Sequence, residues 1–363
     1  VQNKKTAKVI KITKNGIIMS ELRSFMYLPS EEQNITLENI KGFKIVTLDS
    51  IKDKLKEYHR LGAKKGVYLG FSNMSDFYSM KTNGVTDWTG YPQSGKTQLL
   101  LECLFNTSKF YGWKHLIYAP DIGDYIEILE ILVHMETGLS FNKNHPNHIK
   151  IEEVFKSCEW LFEHFFILTN DENSIFSTLT PVDFWNFAIN MKTTHGIQTA
   201  TIDSWKDMFH DYAKYGGSYA QYLSNILPIR NKLSEAHDMH FHTVIHPKQP
   251  VRNKSGELVM PDIDSMEGGA QWNNSGKAIV CVHRASIDTK TVDVKILKAK
   301  PKIVGKRGFF CLDFDVVSSR YYQLNEHGGR DYATKEIKTA TQFPSMKPNK
   351  SFDSEALPET LPF

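Results

Sequence analysis

Residues 90–97 read Gly90-Tyr91-Pro92-Gln93-Ser94-Gly95-Lys96-Thr97, a match to the pattern GxxxxGK[ST]. Glycines at both ends let backbone N–H groups turn inward and cradle phosphate oxygens. The lysine is placed to reach the outer phosphates, and the Thr97 hydroxyl is suited to hold Mg²⁺. Val85–Thr89 before the run is β-prone, and Gln98 with the leucines behind it forms helix. The sequence therefore predicts strand, glycine loop and helix, with the positive end of the helix dipole under the bound phosphates. Gly90 to Gln98 are the candidate nucleotide-binding residues, with ATP and Mg²⁺ the expected ligands.

Outward from the loop, strand and helix alternate. His115–Ala119 predicts a second buried strand and Tyr125–Met135 a helix. A helix runs from Ile151 to about His164, and Phe165–Leu168 adds a strand. Pro181 opens a helix that Gly196 stops. Thr199–Ile202, Phe241–Ile245, Ala278–Val282, Val292–Leu297 and Phe309–Phe314 read as further strands, and Tyr219–His237 as a helix. Alternating βα units imply an α/β fold with a mainly parallel central sheet flanked by helices. Ligands in such folds sit outside the carboxyl ends of the strands.

Composition sets outer bounds. The 363 residues are 40% hydrophobic and 23% charged, as in soluble globular chains. No run approaches the ~18 apolar residues of a membrane span, so no membrane association is expected, and a cytoplasmic setting follows. The first residue is Val, consistent with a fragment or a processed product. A net charge of +3 is too small to announce nucleic-acid binding by itself, so any such binding rests on local basic loops. Cys103, Cys158, Cys281 and Cys311 form no CxxC pair, which argues against a zinc ribbon or disulfide framework.

Two carboxylates extend the site. Asp203 ends the strand Thr199-Ala200-Thr201-Ile202 and is placed to contact the metal's water shell, the alternative being an Asp that caps a turn. In RecA-like ATPases the group that orients the attacking water follows the second strand, here Tyr118-Ala119-Pro120-Asp121. Asp121 is that candidate, against a helix N-cap role.

The order of these pieces resembles the ring-forming replicative DNA helicases related to bacterial DnaB, in the Twinkle-like and phage primase-helicase branch. The resemblance covers about Leu48 to Tyr322. Gly70-Phe71-Ser72-Asn73-Met74-Ser75-Asp76-Phe77-Tyr78 is similar to the segment leading into the phosphate loop, and Ile202-Asp203-Ser204-Trp205 to the second nucleotide motif. Val244-Ile245-His246-Pro247-Lys248 resembles the polar sensor motif, which implies that His246 reads the γ-phosphate. Met266-Glu267-Gly268-Gly269-Ala270-Gln271-Trp272, followed by Val282-His283-Arg284, resembles the Gly-Ser-Ala block and its terminal His-Arg. Arg284 and Phe314 match positions that flank the adenine. Two departures stand out. Asp121 occupies a place where Glu is usual. The arginine finger, which would reach a neighbour's nucleotide, falls in a segment offering only Lys298 and Lys300, unless Arg307 substitutes.

The resemblance implies a RecA-like core that translocates 5′→3′ on single-stranded DNA, unwinds forked duplex and assembles as a homo-oligomer, expected to be a hexamer. Lys248, Arg252 and Lys254 put three cations within seven residues after the sensor strand and are candidate DNA contacts. Lys206 and Lys214, with Tyr215, could add charge and a stacking surface beyond the second motif. The expected organisation is an N-terminal extension over 1–47, a linker helix within 48–66 that docks on an adjacent protomer, the ATPase domain over 67–334, and a flexible tail over 335–363. The acidic tail ending in Phe363 could dock on a polymerase or primase. A phage origin, with a bacterial host's cytoplasm as the setting, fits so compact a chain. The rival readings are a RecA-like recombinase or loader without unwinding, and a degenerate nucleotide-binding scaffold.

Overall fold

The computed structural model describes residues 10–13, 16–19, 45–62, 65–145, 147–170, 179–254, 256–286 and 288–335. The chain divides into two compact units, Val1–Lys64 and Lys65–Phe363. Most of the expected N-terminal extension, and the expected tail beyond residue 335 with Phe363, lie outside the described residues.

In the first unit, strands β1 (Ile10–Thr13) and β2 (Gly16–Met19) pair antiparallel, Ile10 opposite Met19. Helix α1 spans Leu48–Leu61. Thr47 caps it: its hydroxyl accepts from Ser50 N, while Ser50 Oγ accepts from Thr47 N at 3.1 Å. Gly62, at φ +70°, ends it. No residue of α1 is buried, although Leu48, Ile51, Leu55 and Tyr58 recur at helical spacing.

The second unit is built on a ten-stranded sheet. Its strands are β3 (Val85–Thr89), β4 (His115–Tyr118), β5 (Phe165–Leu168), β6 (Thr199–Ile202), β7 (His240–Ile245), β8 (Ala278–His283), β9 (Thr291–Ala299), β10 (Gly308–Asp315), β11 (Arg320–Leu324) and β12 (Arg330–Tyr332). They lie in the order β12-β11-β10-β9-β8-β3-β7-β6-β4-β5. The stretch from β8 to β5 is parallel, and β9 to β12 extend it antiparallel. Every residue of β3, β7 and β8 is buried, as strands covered on both faces require, whereas β9 begins with alternating exposed and buried residues.

Helices α2 (Ser72–Ser75), α3 (Lys96–Tyr111), α4 (Tyr125–Thr137) and α5 (Ile151–His164) contribute to one core. There Leu99, Leu104, Leu132 and Leu161 share a cluster with Val280 and Val282. Helices α6 (Pro181–His195), α7 (Tyr219–His237) and α8 (Gly269–Ser275) supply the other, where Trp185, Leu223 and Leu227 meet Ile279 and Cys281. Consecutive residues of β8 thus feed opposite faces, the period-2 signature of a strand. Helix α4 runs two residues past the expected end at Met135. The sequence reading did not separate out α2, α8, β11 or β12, because three to seven residues carry too little periodicity to register. Among the described residues no helix is long and apolar enough to cross a membrane, and all four cysteines are free.

Polar groups are threaded through this core. Asp87 in β3 and Arg230 in α7 are both 0% exposed and joined at 2.6 and 3.3 Å, and Arg230 also donates to Thr243 Oγ1 at 2.9 Å. Glu102 in α3, also fully buried, accepts from Arg320 Nε and Tyr321 N, each at 2.7 Å, so β11 is tied to the helix behind the glycine loop. Replacing Arg230 with Met leaves the Asp87 carboxyl buried without its partner and is expected to cost about 3–5 kcal/mol. The denaturant midpoint checks this, and a shift under about 1 kcal/mol would mean that water reaches Asp87.

Three of the buried imidazoles lie in β4 and β7. His240 Nε2 bonds Thr86 Oγ1 at 2.8 Å and its Nδ1 bonds Lys81 O at 2.6 Å. Trp88 Nε1 donates to His242 Nδ1 at 3.1 Å, and His115 Nδ1 lies 2.7 Å from Thr199 Oγ1. Burial lowers His240 to about 4 and His115 to about 3, and pushes His242 well below its usual range. A folded value below the unfolded one gives stability that is present above the unfolded pKa of ~6.5 and is lost as pH falls toward the folded value. Buried carboxyls such as Asp203 act in the opposite sense, so the comparison must be between variants. His240→Gln is expected to lose less stability at pH 5 than at pH 7.5, by about 2 kcal/mol or several degrees in Tm. A pH-independent difference would show that His240 is not held neutral.

Candidate functional site

The glycine loop joins β3 to α3, so its shape is set by a strand end and a helix start. Gly90 adopts φ +150°, and a Cβ there would collide with the carbonyl oxygen of Val282. Gly95, at φ +90°, leaves only 2.5 Å between an added Cβ and the Tyr321 hydroxyl. Neither position tolerates a side chain. Lys96 is 6% exposed and donates to Tyr91 O at 3.3 Å within its own loop. Burial lowers its pKa, and the charges of Asp203 and Asp121 oppose that. The Ser94 hydroxyl is buried with no partner. A buried lysine turned back on its own loop, beside an orphaned hydroxyl, is what a phosphate cradle looks like from the protein side.

Asp203 follows β6, and one strand, β7, separates β6 from β3. The crossing brings Thr97 Oγ1 to donate to Asp203 Oδ2 at 2.6 Å. Asp203 is 3% exposed, and burial raises its carboxyl to about 6 against the Thr97 hydrogen bond and the Lys96 charge. One hydroxyl and one carboxylate are hard oxygen donors suited to Mg²⁺. The described residues contain no group of three His, Cys, Asp or Glu side chains able to hold a metal alone.

Asp121 lies beyond β4. Lys206 Nζ pairs with its Oδ1 at 2.8 Å, and His246 Nε2, beyond β7, stands 3.3 Å from Oδ2. Burial alone would raise the Asp121 carboxyl, but Lys206 and His246 hold it below its usual value. His246 is itself lowered, by burial first and then by Lys96 and Lys206, against the Asp121 carboxylate. The structure thus gathers Lys96, Thr97, Asp203, Asp121 and His246 at the carboxyl ends of four neighbouring parallel strands. It also adds Lys206, which the sequence reading had placed with the DNA contacts.

The remaining expected residues fall in three places. Phe314 packs on Tyr321 at 5.0 Å, Tyr321 OH donates to Gly95 O at 3.2 Å, and Gln98 Nε2 donates to Ser319 O at 3.0 Å. Arg284 presents a buried Nε with no partner. Lys298 departs from the expected finger: it is 7% exposed, and its ammonium donates to Asn273 O inside the fold. Lys300 is exposed, and with Arg307 it lines a cavity of about 330 Å³. A wider cavity of about 710 Å³ beside it is lined by Gly84, His240 and Ala278, at the opposite ends of the strands from the glycine loop.

Lys248, Arg252 and Lys254 are exposed on a hairpin. Arg252 bridges Leu258, Val259 N donates to Val251 O at 2.8 Å, and Asn253 N donates to Glu257 O at 2.9 Å. Lys214 is exposed with its ammonium 5.4 Å from the Tyr215 ring, but Tyr215 is half-buried against Tyr222. The exposed aromatics of this segment are Phe209 and Tyr212.

No protein-family model matches this sequence. The chain is similar to the Twinkle homolog protein, chloroplastic/mitochondrial, of Arabidopsis thaliana, with 24% identity over 293 residues. The match covers 77% of this chain and 40% of that protein, so the chain spans about two fifths of its relative's length. A solved ATPase domain superposes with a TM-score of 0.62 at 14% identity, covering 78% of this chain and 100% of that one. A DnaB-like replicative helicase, solved in work on its interactions with primase, gives 0.60 at 16% identity over 78% of this chain and 69% of that one.

Lys96→Ala removes the charged donor of the cradle and is expected to weaken binding of a fluorescent ATP analogue with Mg²⁺ by roughly 10–100-fold, the worth of one charge-assisted hydrogen bond. Unchanged affinity would place the nucleotide elsewhere.

Proposed function

We propose that this chain, whose fold is that of a DnaB-like helicase ATPase domain, is an ATP-dependent DNA translocase of the replicative helicase type. One observation carries the reading. The side chains that ATP hydrolysis needs converge at one end of the parallel sheet, and a basic hairpin springs from β7, the strand that also delivers His246.

Each residue has a role that its surroundings suit. The loop amides and Lys96 bind the β/γ-phosphates, and Lys96 neutralises charge that develops there. Thr97 and Asp203 would hold Mg²⁺, which supplies electrostatic stabilisation of the phosphates when bound. Asp121, kept ionised by Lys206 and His246, orients water and is too weak a base to do more. Arg284 and Phe314 flank the base. The exposed cations Lys300 and Arg307 lie at the far end of the sheet from their own glycine loop, so the triphosphate they serve belongs to a neighbouring copy. Assembly into a ring, expected to be hexameric, supplies that neighbour, and the exposed apolar stripe of α1 is the docking element. Lys248, Arg252 and Lys254, with Lys214, hold the single-stranded backbone, and the Phe209 and Tyr212 rings offer stacking faces. Polarity 5′→3′, unwinding of forked DNA, and a primase or polymerase partner belong to the same reading.

Two observations favour a second reading, a nucleotide-gated scaffold: Asp121 is tied up by Lys206, and Lys298 is turned inward. One assay separates the two. ATP turnover is expected to rise strongly with single-stranded DNA and to vanish in Lys96→Ala. Changing Lys248, Arg252 and Lys254 together to Ala removes the stimulation and flattens the salt dependence of DNA binding by about 0.7 per lost contact. Tight ATP binding without turnover, with or without DNA, would hand the case to the scaffold.

A further inference from the structure

Tyr91 stands second in the glycine loop, where the motif makes no demand on the side chain. It is nevertheless 4% exposed, and its hydroxyl accepts a hydrogen bond from Val251 N at 3.0 Å, across 160 residues of sequence. Its carbonyl, at the other end of the residue, accepts from Lys96 Nζ at 3.3 Å. Val251 is itself a rung of the basic hairpin, since its carbonyl accepts from Val259 N at 2.8 Å. The next residue, Arg252, forms the bridge to Leu258 and donates from Nη1 to Gly256 O at 2.6 Å. One side chain therefore connects the phosphate-seeking lysine to the root of the hairpin that carries Lys248, Arg252 and Lys254.

We propose that Tyr91 is a strut that passes the state of the phosphate loop to the basic hairpin, and so is a positioning residue for whatever anion the hairpin grips. The mechanical case rests on stiffness. Tyr91 precedes Pro92, whose ring narrows the backbone freedom of the residue before it. Gly90, on the other side, is pressed against the Val282 carbonyl. The phenol has few torsions and is buried, so displacement of its backbone reaches the hydroxyl with little loss. When a phosphate draws Lys96 outward, the 3.3 Å bond to the Tyr91 carbonyl is the one that must give. The Val251 amide then follows the hydroxyl or loses it. Either response changes the hairpin's pairing at its first rung. The hairpin is also tethered nearby by Lys248 N donating to Ser265 O at 2.9 Å and by the Pro247–Met266 bridge, and it follows His246 along the chain, so Tyr91 is the link that comes from the glycine loop itself.

This inference rests on the nucleotide-binding half of the proposed function and not on DNA binding or turnover, so its test uses no DNA. Hydrogen exchange of residues 248–259 is followed in the full chain with and without a non-hydrolysable ATP analogue plus Mg²⁺, and analogue binding is measured on the same samples. In the wild type the analogue is expected to change exchange in this segment by about fivefold, the equivalent of one hydrogen bond. Val251→Pro deletes the donor amide while leaving the glycine loop intact, and Tyr91→Phe deletes the acceptor. The response is expected to disappear in Val251→Pro, and in Tyr91→Phe where that variant binds the analogue. A wild-type hairpin indifferent to bound analogue overturns the strut, and so does a response that survives in Val251→Pro. Failure of the wild type to bind the analogue at all would overturn the nucleotide site itself, a different result with a different readout.

Discussion

A carboxylate in the middle of a strand buried on both faces has to be answered, and in this protein Arg230 answers Asp87. The pair is inaccessible to water, and Thr243 on the adjoining strand takes part. Two charges so placed are costly apart and tolerable together. Their value is geometric: α7, β7 and β3 are held in one relation, and β3 ends in the glycine loop. The Trp272 ring lies 5.4 Å from the guanidinium, which brings α8 into the same arrangement. The loop's conformation is thus anchored from beneath by a pair that is costly to break at either end alone.

A second buried charge does the same from the other side. Glu102 stands on the helix that begins with Lys96, and both of its oxygens are spent on β11. That strand carries Tyr321, whose hydroxyl reaches Gly95 and whose ring packs on Phe314. The antiparallel extension of the sheet is therefore a wall beside the glycine loop. The parallel strands bring the chemistry of several loops to one edge, and the antiparallel ones close that edge on one side.

The phosphate loop was legible because its chemistry is local: eight consecutive residues must be what they are, whatever surrounds them. The place of Asp203 was legible for a related reason, since it directly follows the short β-prone run Thr199–Ile202. The helix and strand periods placed most elements to within two or three residues. What stayed hidden was side-chain direction. Nothing in Lys295-Ile296-Leu297-Lys298-Ala299-Lys300 says that Lys298 bends inward to the Asn273 carbonyl while Lys300 stays out. Lys206 reads as a surface cation until Asp121, far earlier in the chain, is brought to 2.8 Å from it. The Tyr91–Val251 bond is of the same kind, because contacts made by folding leave no trace in spacing. Strands β11 and β12 were missed for a plainer reason, as short runs among glycines carry too little periodicity to register.

Helix α1 has a consequence of another sort. Fourteen residues with a good cap but no buried side chain sit at the length where an isolated helix is only marginally stable in water. Its order therefore depends on what covers Leu48, Leu55 and Tyr58. If the cover is another copy, helix formation and association are one equilibrium, and mass action governs both. The segment then behaves as a gauge of its own concentration, frayed in dilute solution and wound where copies are plentiful.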